Sequence, residues 1–107
     1  RYRHAAVVHG CCMFVFGGVD TQSKFSDLCM FNFDTRSWAR LVTLGDAPSA
    51  RSFHSAVMHG GSMYILGGCD SARVRRNDMY KITIPQHCET DDHERAIDER
   101  AVVKRAR

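Results

Sequence analysis

An all-β repeat protein is the fold class this sequence predicts, and three observations carry the prediction. The first is a tandem repeat: His54 to Asp70, HSAVMHGGSMYILGGCD, restates His4 to Asp20, HAAVVHGCCMFVFGGVD, fifty residues later. Between Arg1–Asp20 and Arg51–Asp70, ten of twenty positions are identical (Arg1/Arg51, His4/His54, Ala6/Ala56, Val7/Val57, His9/His59, Gly10/Gly60, Met13/Met63, Gly17/Gly67, Gly18/Gly68, Asp20/Asp70). Phe14 with Tyr64 and Val15 with Ile65 keep their character across the repeat. The second observation is that the short apolar runs are nearly continuous, which fits strands covered on both faces by neighbouring sheets. The third is the period itself, since a unit near fifty residues is of propeller or solenoid length and cannot bury its apolar faces without neighbours. Two units are fewer than the roughly four to eight blades that close a propeller ring. The chain therefore reads as a fragment of a larger β-propeller.

Taken in order, 1–50 form a first unit of four strands connected as a meander. His4 to His9 and Met13 to Phe16 are strands separated by a turn at Gly10-Cys11-Cys12. Gly17-Gly18 ends the second, because glycine reaches positive φ and lets neighbouring backbone approach. A polar loop runs to Ser26, and Asp27 to Phe33 is the third strand, with Cys29, Phe31 and Phe33 on one side and Leu28, Met30 and Asn32 on the other. Asp34-Thr35-Arg36-Ser37 supplies turn chemistry, Trp38 to Leu44 is the fourth strand, and Gly45 to Ser49 leads into the next unit. The second unit, 51–85, repeats the first two strands at His54 to His59 and Met63 to Leu66, has a loop from Cys69 to Arg76, and a third strand from Asn77 to Ile84. No counterpart of Trp38 follows, so this unit lacks its last strand. Residues 86–107 read as a charged polar tail, disordered or a short helix capped near Thr90 to Asp92. That leaves Asn77 to Ile84 as an open sheet edge, a feature that recruits other chains.

The 107 residues, 44% hydrophobic and 25% charged, have globular composition. The formal charge of +3 forms no basic stripe with interleaved aromatics, so nucleic-acid binding is not indicated. No signal-type apolar region or run of about 18 apolar residues appears, so membrane spanning is not expected and a cytoplasmic setting is. The five cysteines (Cys11, Cys12, Cys29, Cys69, Cys88) are odd in number and do not recur at matching repeat positions, which fits reduced thiols.

The combination of R-x-x-H, an apolar strand, an apolar-aromatic strand ending in Gly-Gly, a polar loop, Asp-Leu or Asp-Met, and a Trp some twenty residues after the glycines resembles the kelch repeat. It is carried by Arg1, His4, Gly17, Gly18, Asp27, Leu28 and Trp38, then by Arg51, His54, Gly67, Gly68, Asp78 and Met79. More narrowly, RYRHAAVV, SMYILGG and RRNDMYKI resemble the kelch region of leucine-zipper-like transcriptional regulator proteins, substrate adaptors for cullin ubiquitin ligases. The resemblance implies two antiparallel four-stranded blades, the second incomplete, with the first strand of each nearest the central channel. It also implies a protein-interaction module whose partners are a protein ligand and the remaining kelch blades of a parent protein. The alternative is part of a kelch-fold oxidase or lyase whose active site lies in other blades.

No nucleophile elbow, phosphate loop or His/Asp/Ser spacing is visible, so no catalytic residue and no cofactor is expected. His4, His9, His54 and His59 invite a metal reading. A spacing of five places each pair on opposite faces of a strand, however, and a structural role is expected instead. The tail set His87, Cys88 and His93 lacks a fourth ligand. Arg1 and Arg51 are expected to hold inter-blade loops through carboxylates or carbonyls, and Trp38 to pack between blades. Propellers bind partners on a face made of strand connections, which points to Arg73, Arg75 and Arg76 in one loop and Lys24 in its counterpart as a site for an acidic partner.

Overall fold

Each unit folds as an antiparallel meander because its apolar runs are strand-length and punctuated by residues that tolerate a left-handed backbone. The structure, a computed structural model, describes residues 1–45, 48–84 and 100–106. In unit one, β1 (Ala5–His9), β2 (Cys12–Phe16), β3 (Leu28–Asn32) and β4 (Ser37–Gly45) pair in sequence order. In unit two, β5 (Arg51–Ser52) and β6 (Ser55–His59) both pair with β7 (Ser62–Asp70), which pairs with β8 (Arg75–Thr83), and β8 pairs with β9 (Arg100–Ala106). The first hairpin of each unit has a two-residue turn, with His9 opposite Cys12 and His59 opposite Ser62. Gly60 and Gly61, at φ 60 and 77, supply in unit two the positive angles that match a tight turn to strand twist.

Strand register decides which side chains share a face. Phe14 stands opposite Val7 and Met30, and Leu28 stands opposite Phe16 and Leu41. Met63 stands opposite Met58 and Ile82, and Ile82 opposite Val103. These two rows form one core: Cys12, Phe14, Phe16, Leu28, Met30 and Leu41 from the first blade meet Met63, Ile65, Ile82, Ile84 and Val103 from the second. Among the described residues, the opposite face of each blade is largely exposed. Val8 and Trp38 are each 59% exposed on blade one, and Val57 and Leu66 are 59% and 51% exposed on blade two. β1 is thus covered on one face and alternates in burial, whereas β2 is buried on both faces from Phe14 to Phe16, with Val15 6% exposed. Trp38 tilts against Phe31, with ring centroids 5.0 Å apart, on the exposed side.

The C-terminal stretch differs from its expectation. Residues 100–106 form a strand, neither disordered chain nor helix, while 85–99 and 107 lie outside the described residues. β9 pairs antiparallel with β8 and places Val103 opposite Ile82, where the first blade has Trp38 opposite Phe31. The second blade therefore gains its fourth strand from beyond a long connection, and β8 is not an edge. β9 also runs parallel to β4, with Val102 opposite Leu44, so it joins the outer strands of both blades. Gly45, at φ 102, permits that approach, since a Cβ there would collide with the Val103 carbonyl oxygen. The sequence signal was weak because only Val102 and Val103 interrupt a cationic stretch, and burial of Val103 is a long-range event.

Strand β7 also extends past the Gly-Gly pair. A bulge between Leu66 and Gly68 lets Gly68 and Cys69 pair with Arg76 and Arg75, which shortens the expected Cys69–Arg76 loop. Among the described residues, no helix is long and apolar enough to cross a membrane.

Candidate functional site

The repeated arginines build the frame on which the loops stand. Arg1 donates to both Asp27 oxygens at 2.8 and 3.0 Å and to the Gly17 carbonyl at 3.1 Å. Arg51 repeats this on Asp78 at 2.7 and 3.3 Å and on the Gly67 carbonyl at 3.0 Å. Each clamp ties a blade's own Gly-Gly corner to its third strand, and Arg51 also holds the inter-blade loop, donating to the Ser49 carbonyl at 3.2 Å and the Ser49 hydroxyl at 3.1 Å. Hydrogen bonding to the Arg51 guanidinium holds the Asp78 carboxyl below its usual range. Burial pushes Asp27 up, but Arg1's hydrogen bond and charge outweigh it and the net direction is down.

The contact between blades is made by other atoms of the same motif. His54 Nε2 lies 2.7 Å from the Phe16 carbonyl oxygen, and its ring meets Phe16 edge-on. Gly18 donates its N–H to the Arg51 carbonyl at 2.9 Å. Lys24 Nζ reaches the carbonyls of Asp70 at 2.6 Å and Cys69 at 3.3 Å. His4, the repeat equivalent of His54, is exposed on the face of blade one away from blade two. Among the described residues no three His, Cys, Asp or Glu side chains converge as a metal site.

The β2–β3 and β7–β8 loops and the residues before β1 and β6 gather at one end of the two blades. There, a recess of about 590 Å³ is lined by Tyr2, Arg3, Asp20, Lys24, Ser71 and Arg73 among others. A second, of about 430 Å³, is lined by Phe53, Gly68, Cys69, Arg75 and Arg76. The four cations named from sequence thus share this end but divide by role. Lys24 is engaged by blade-two carbonyls, and Arg76 is paired with the Asp70 carboxylate at 2.6 Å. Arg73 and Arg75 are exposed, and among the described residues neither has a carboxylate within ion-pair distance. Of the inter-blade loop at 45–49, residues 46 and 47 lie outside the described residues.

Sequence reasoning missed Arg3, Tyr2 and Phe53. The Arg3 guanidinium lies over the Phe53 ring at 4.6 Å and the Tyr2 ring at 5.1 Å, a cation between two aromatics. Arg3 and Phe53 occupy equivalent positions and both hold a left-handed backbone, at φ 61 and 62. Such strain, about 1–2 kcal/mol for a non-glycine residue, is the kind that clusters at ligand-contacting positions. The available signal was variation inside a repeated frame, since Tyr2/Ser52 and Arg3/Phe53 differ while Arg and His on either side recur.

A family model, the KLHDC2/KLHL20/DRC7 Kelch-repeats domain, matches residues 1–96. Over 53 residues, 49% of this chain, the sequence is 36% identical to the dynein alpha chain of the flagellar outer arm of Chlamydomonas reinhardtii, of which it spans 1%. The structure of YjhT superposes with a TM-score of 0.58 at 28% identity, covering 65% of this chain and 21% of that one. These matches support the kelch reading and not the narrower likeness to leucine-zipper-like transcriptional regulators.

Proposed function

Because the chain belongs to the KLHDC2/KLHL20/DRC7 Kelch-repeats domain family, we propose that it is a protein-interaction module that receives an acidic segment of its partner at the loop end of the blades. The observation that carries this reading is the aromatic-flanked Arg3 beside the exposed Arg73 and Arg75, three cations at one end of the fold. Guanidinium groups favour carboxylates through paired N–H donors, and aromatic neighbours hold the guanidinium plane in place. In this reading Lys24 and Arg76 shape the site while Arg3, Arg73 and Arg75 contact the ligand. The module binds without catalysis or cofactor, works in the cytoplasm, and belongs to a substrate adaptor of a cullin-type ubiquitin ligase. The adaptor role rests on the longer protein, where copurification with a cullin scaffold tests it.

The site itself is tested with a fluorescent hexaglutamate peptide titrated against the protein at two salt concentrations. Arg73→Glu/Arg75→Glu is expected to weaken binding at least tenfold and flatten the salt dependence. Arg36→Glu, a single charge reversal in the exposed β3–β4 turn, is expected to leave the affinity within twofold. Unchanged affinity in the double variant rejects the site.

A further inference from the structure

The turn of the first hairpin carries two adjacent thiols that its counterpart in blade two lacks. Gly10 and Cys11 are the turn residues between β1 and β2, and Cys12 opens β2 opposite His9. In blade two the same positions hold Gly60, Gly61 and Ser62. The backbone duty is the same in both, since the Cys11 carbonyl accepts the Phe33 N–H at 2.9 Å and the Gly61 carbonyl accepts the Ile84 N–H at 3.2 Å. Glycine and serine therefore suffice for the turn, and its fold does not require sulfur.

Consecutive side chains on an extended strand point to opposite faces. Cys11 escapes that rule because it stands in the turn, and its Sγ lies 3.8 Å from the Sγ of Cys12. Cys12 is fully buried in the core shared by the blades, and Cys11 packs half-buried against the same cluster. The pair sits at the end of the blade away from the β2–β3 loop, so it is separate from Arg3, Arg73 and Arg75. With the zinc–thiolate bond of about 2.3 Å as a guide, one tetrahedral atom bridges two sulfurs about 3.8 Å apart. Direct closure to a disulfide fits less well, and neither cysteine is in one. Adjacent Cα atoms stand about 3.8 Å apart, short of the roughly 4.4 Å at which ordinary disulfide spans begin.

We infer that Cys11 and Cys12 form a dithiol site for a soft centre that needs only two sulfurs, the class to which trivalent arsenic with one organic substituent belongs. Structural zinc takes four ligands, and among the described residues no three His, Cys, Asp or Glu side chains converge, so a tetrahedral metal is not the occupant that fits. Thiolates prefer soft centres, and two on one atom hold it more firmly than one because the second bond forms within the same molecule. With methylarsonous acid, two As–S bonds replace the two bonds from arsenic to hydroxyl, and each thiol proton leaves with a hydroxyl as water. Arsenic stays trivalent and no oxidant is consumed. The half-buried Cys11 is the point of entry, and bonding to Cys12 seats the arsenic at the edge of the core, where its methyl group meets apolar surroundings.

The experiment titrates the protein with methylarsonous acid in excess glutathione, which exchanges away adducts on single thiols, and reads intact mass under native conditions together with the melting temperature. Wild type is expected to carry one methylarsenic group in place of two thiol hydrogens. It is also expected to melt at a higher temperature, because the folded hairpin holds the two sulfurs ready whereas the unfolded chain must order them. Cys29→Ser/Cys69→Ser/Cys88→Ser, which keeps only this pair, is expected to behave as wild type does. Cys11→Ser is expected to lose the shift and bind at least about a hundredfold more weakly, having lost the second tether. Should it lose its far-UV strand signal, Cys11→Gly/Cys12→Ser, which copies the Gly61-Ser62 turn of blade two, replaces it. No adduct on wild type, an adduct kept by the Cys11 variants, or an adduct lost from the three-serine variant would each overturn the inference. So would a melting temperature that bound arsenic leaves unchanged or lowers.

Discussion

Replacing Gly17 by alanine probes the contact between blades where the His54 ring crosses it. Gly17 sits at φ +73, and a Cβ there would lie 2.6 Å from His54 Cε1 and 2.8 Å from the Arg51 carbonyl oxygen. Neither neighbour yields easily: the His54 ring is 7% exposed and bonded to the Phe16 carbonyl, and the second obstacle is backbone that accepts a bond from Gly18. A left-handed non-glycine residue costs about 1–2 kcal/mol, forced overpacking about 1–3 kcal/mol, and loss of the His54 hydrogen bond about 1 kcal/mol. The expected destabilisation is their sum, about 3–6 kcal/mol, a large part of the roughly 5–15 kcal/mol that holds a domain folded. Gly60→Ala is the control, because Gly60 has the same left-handed backbone at φ +60 but nothing within 4 Å of its Cβ position. It should cost about 1–2 kcal/mol, the backbone contribution alone. Urea unfolding followed by circular dichroism, at one fixed chain concentration because association shifts apparent stability, gives both values from the midpoints. If the two variants agree within about 0.5 kcal/mol, a difference attributable to noise in such measurements, the packing account of the Gly-Gly corner is refuted.

Two further outcomes follow from the same frame. Arg51→Met should destabilise by about 3–5 kcal/mol, because Arg51 is 1% and Asp78 9% exposed and the carboxylate would be left buried without its partner. Arg1→Met, at 23% exposure beside an Asp27 at 16%, should cost about 1–2 kcal/mol since water screens that pair, and equal losses in urea unfolding would contradict the burial argument. The His54 imidazole is held neutral: burial depresses its pKa below the usual 6.5, the nearby Arg51 and His4 charges add to this, and the Phe16 carbonyl opposes it. The unfolded chain therefore takes up the proton first, so this stability is complete above about pH 6.5 and is lost as pH falls toward the depressed folded value. The melting temperature should drop between pH 7.5 and 5.5 in wild type and much less in His54→Gln, and identical pH profiles would remove His54 from that role.

Much of the architecture was determined by sequence alone. The all-β class, the two units, seven of the strands within a few residues, and the Gly-Gly corners were legible because each depends on local chemistry: apolar runs of strand length, glycines at left-handed positions, and a repeat that shows the same solution twice. The pairing of the frame residues was only partly legible. Arg1 and Arg51 recur, but that they clamp Asp27 and Asp78 within a blade, while their neighbouring carbonyls and His54 join the blades, depends on distances across tens of residues. What only tertiary structure decided was non-local. The strand at Arg100–Ala106 exists because Val103 finds Ile82 in register and buries against it, and its own sequence of charges around two valines has no such preference. Lys24 and Arg76 looked like partner-binding cations, and folding engaged both with backbone and carboxylate groups of the Asp70 corner, leaving the exposed charge to Arg73, Arg75 and Arg3. Trp38 reads as an interior residue and stands exposed, because burial of a blade face is a property of the neighbouring sheet and not of the strand that carries it.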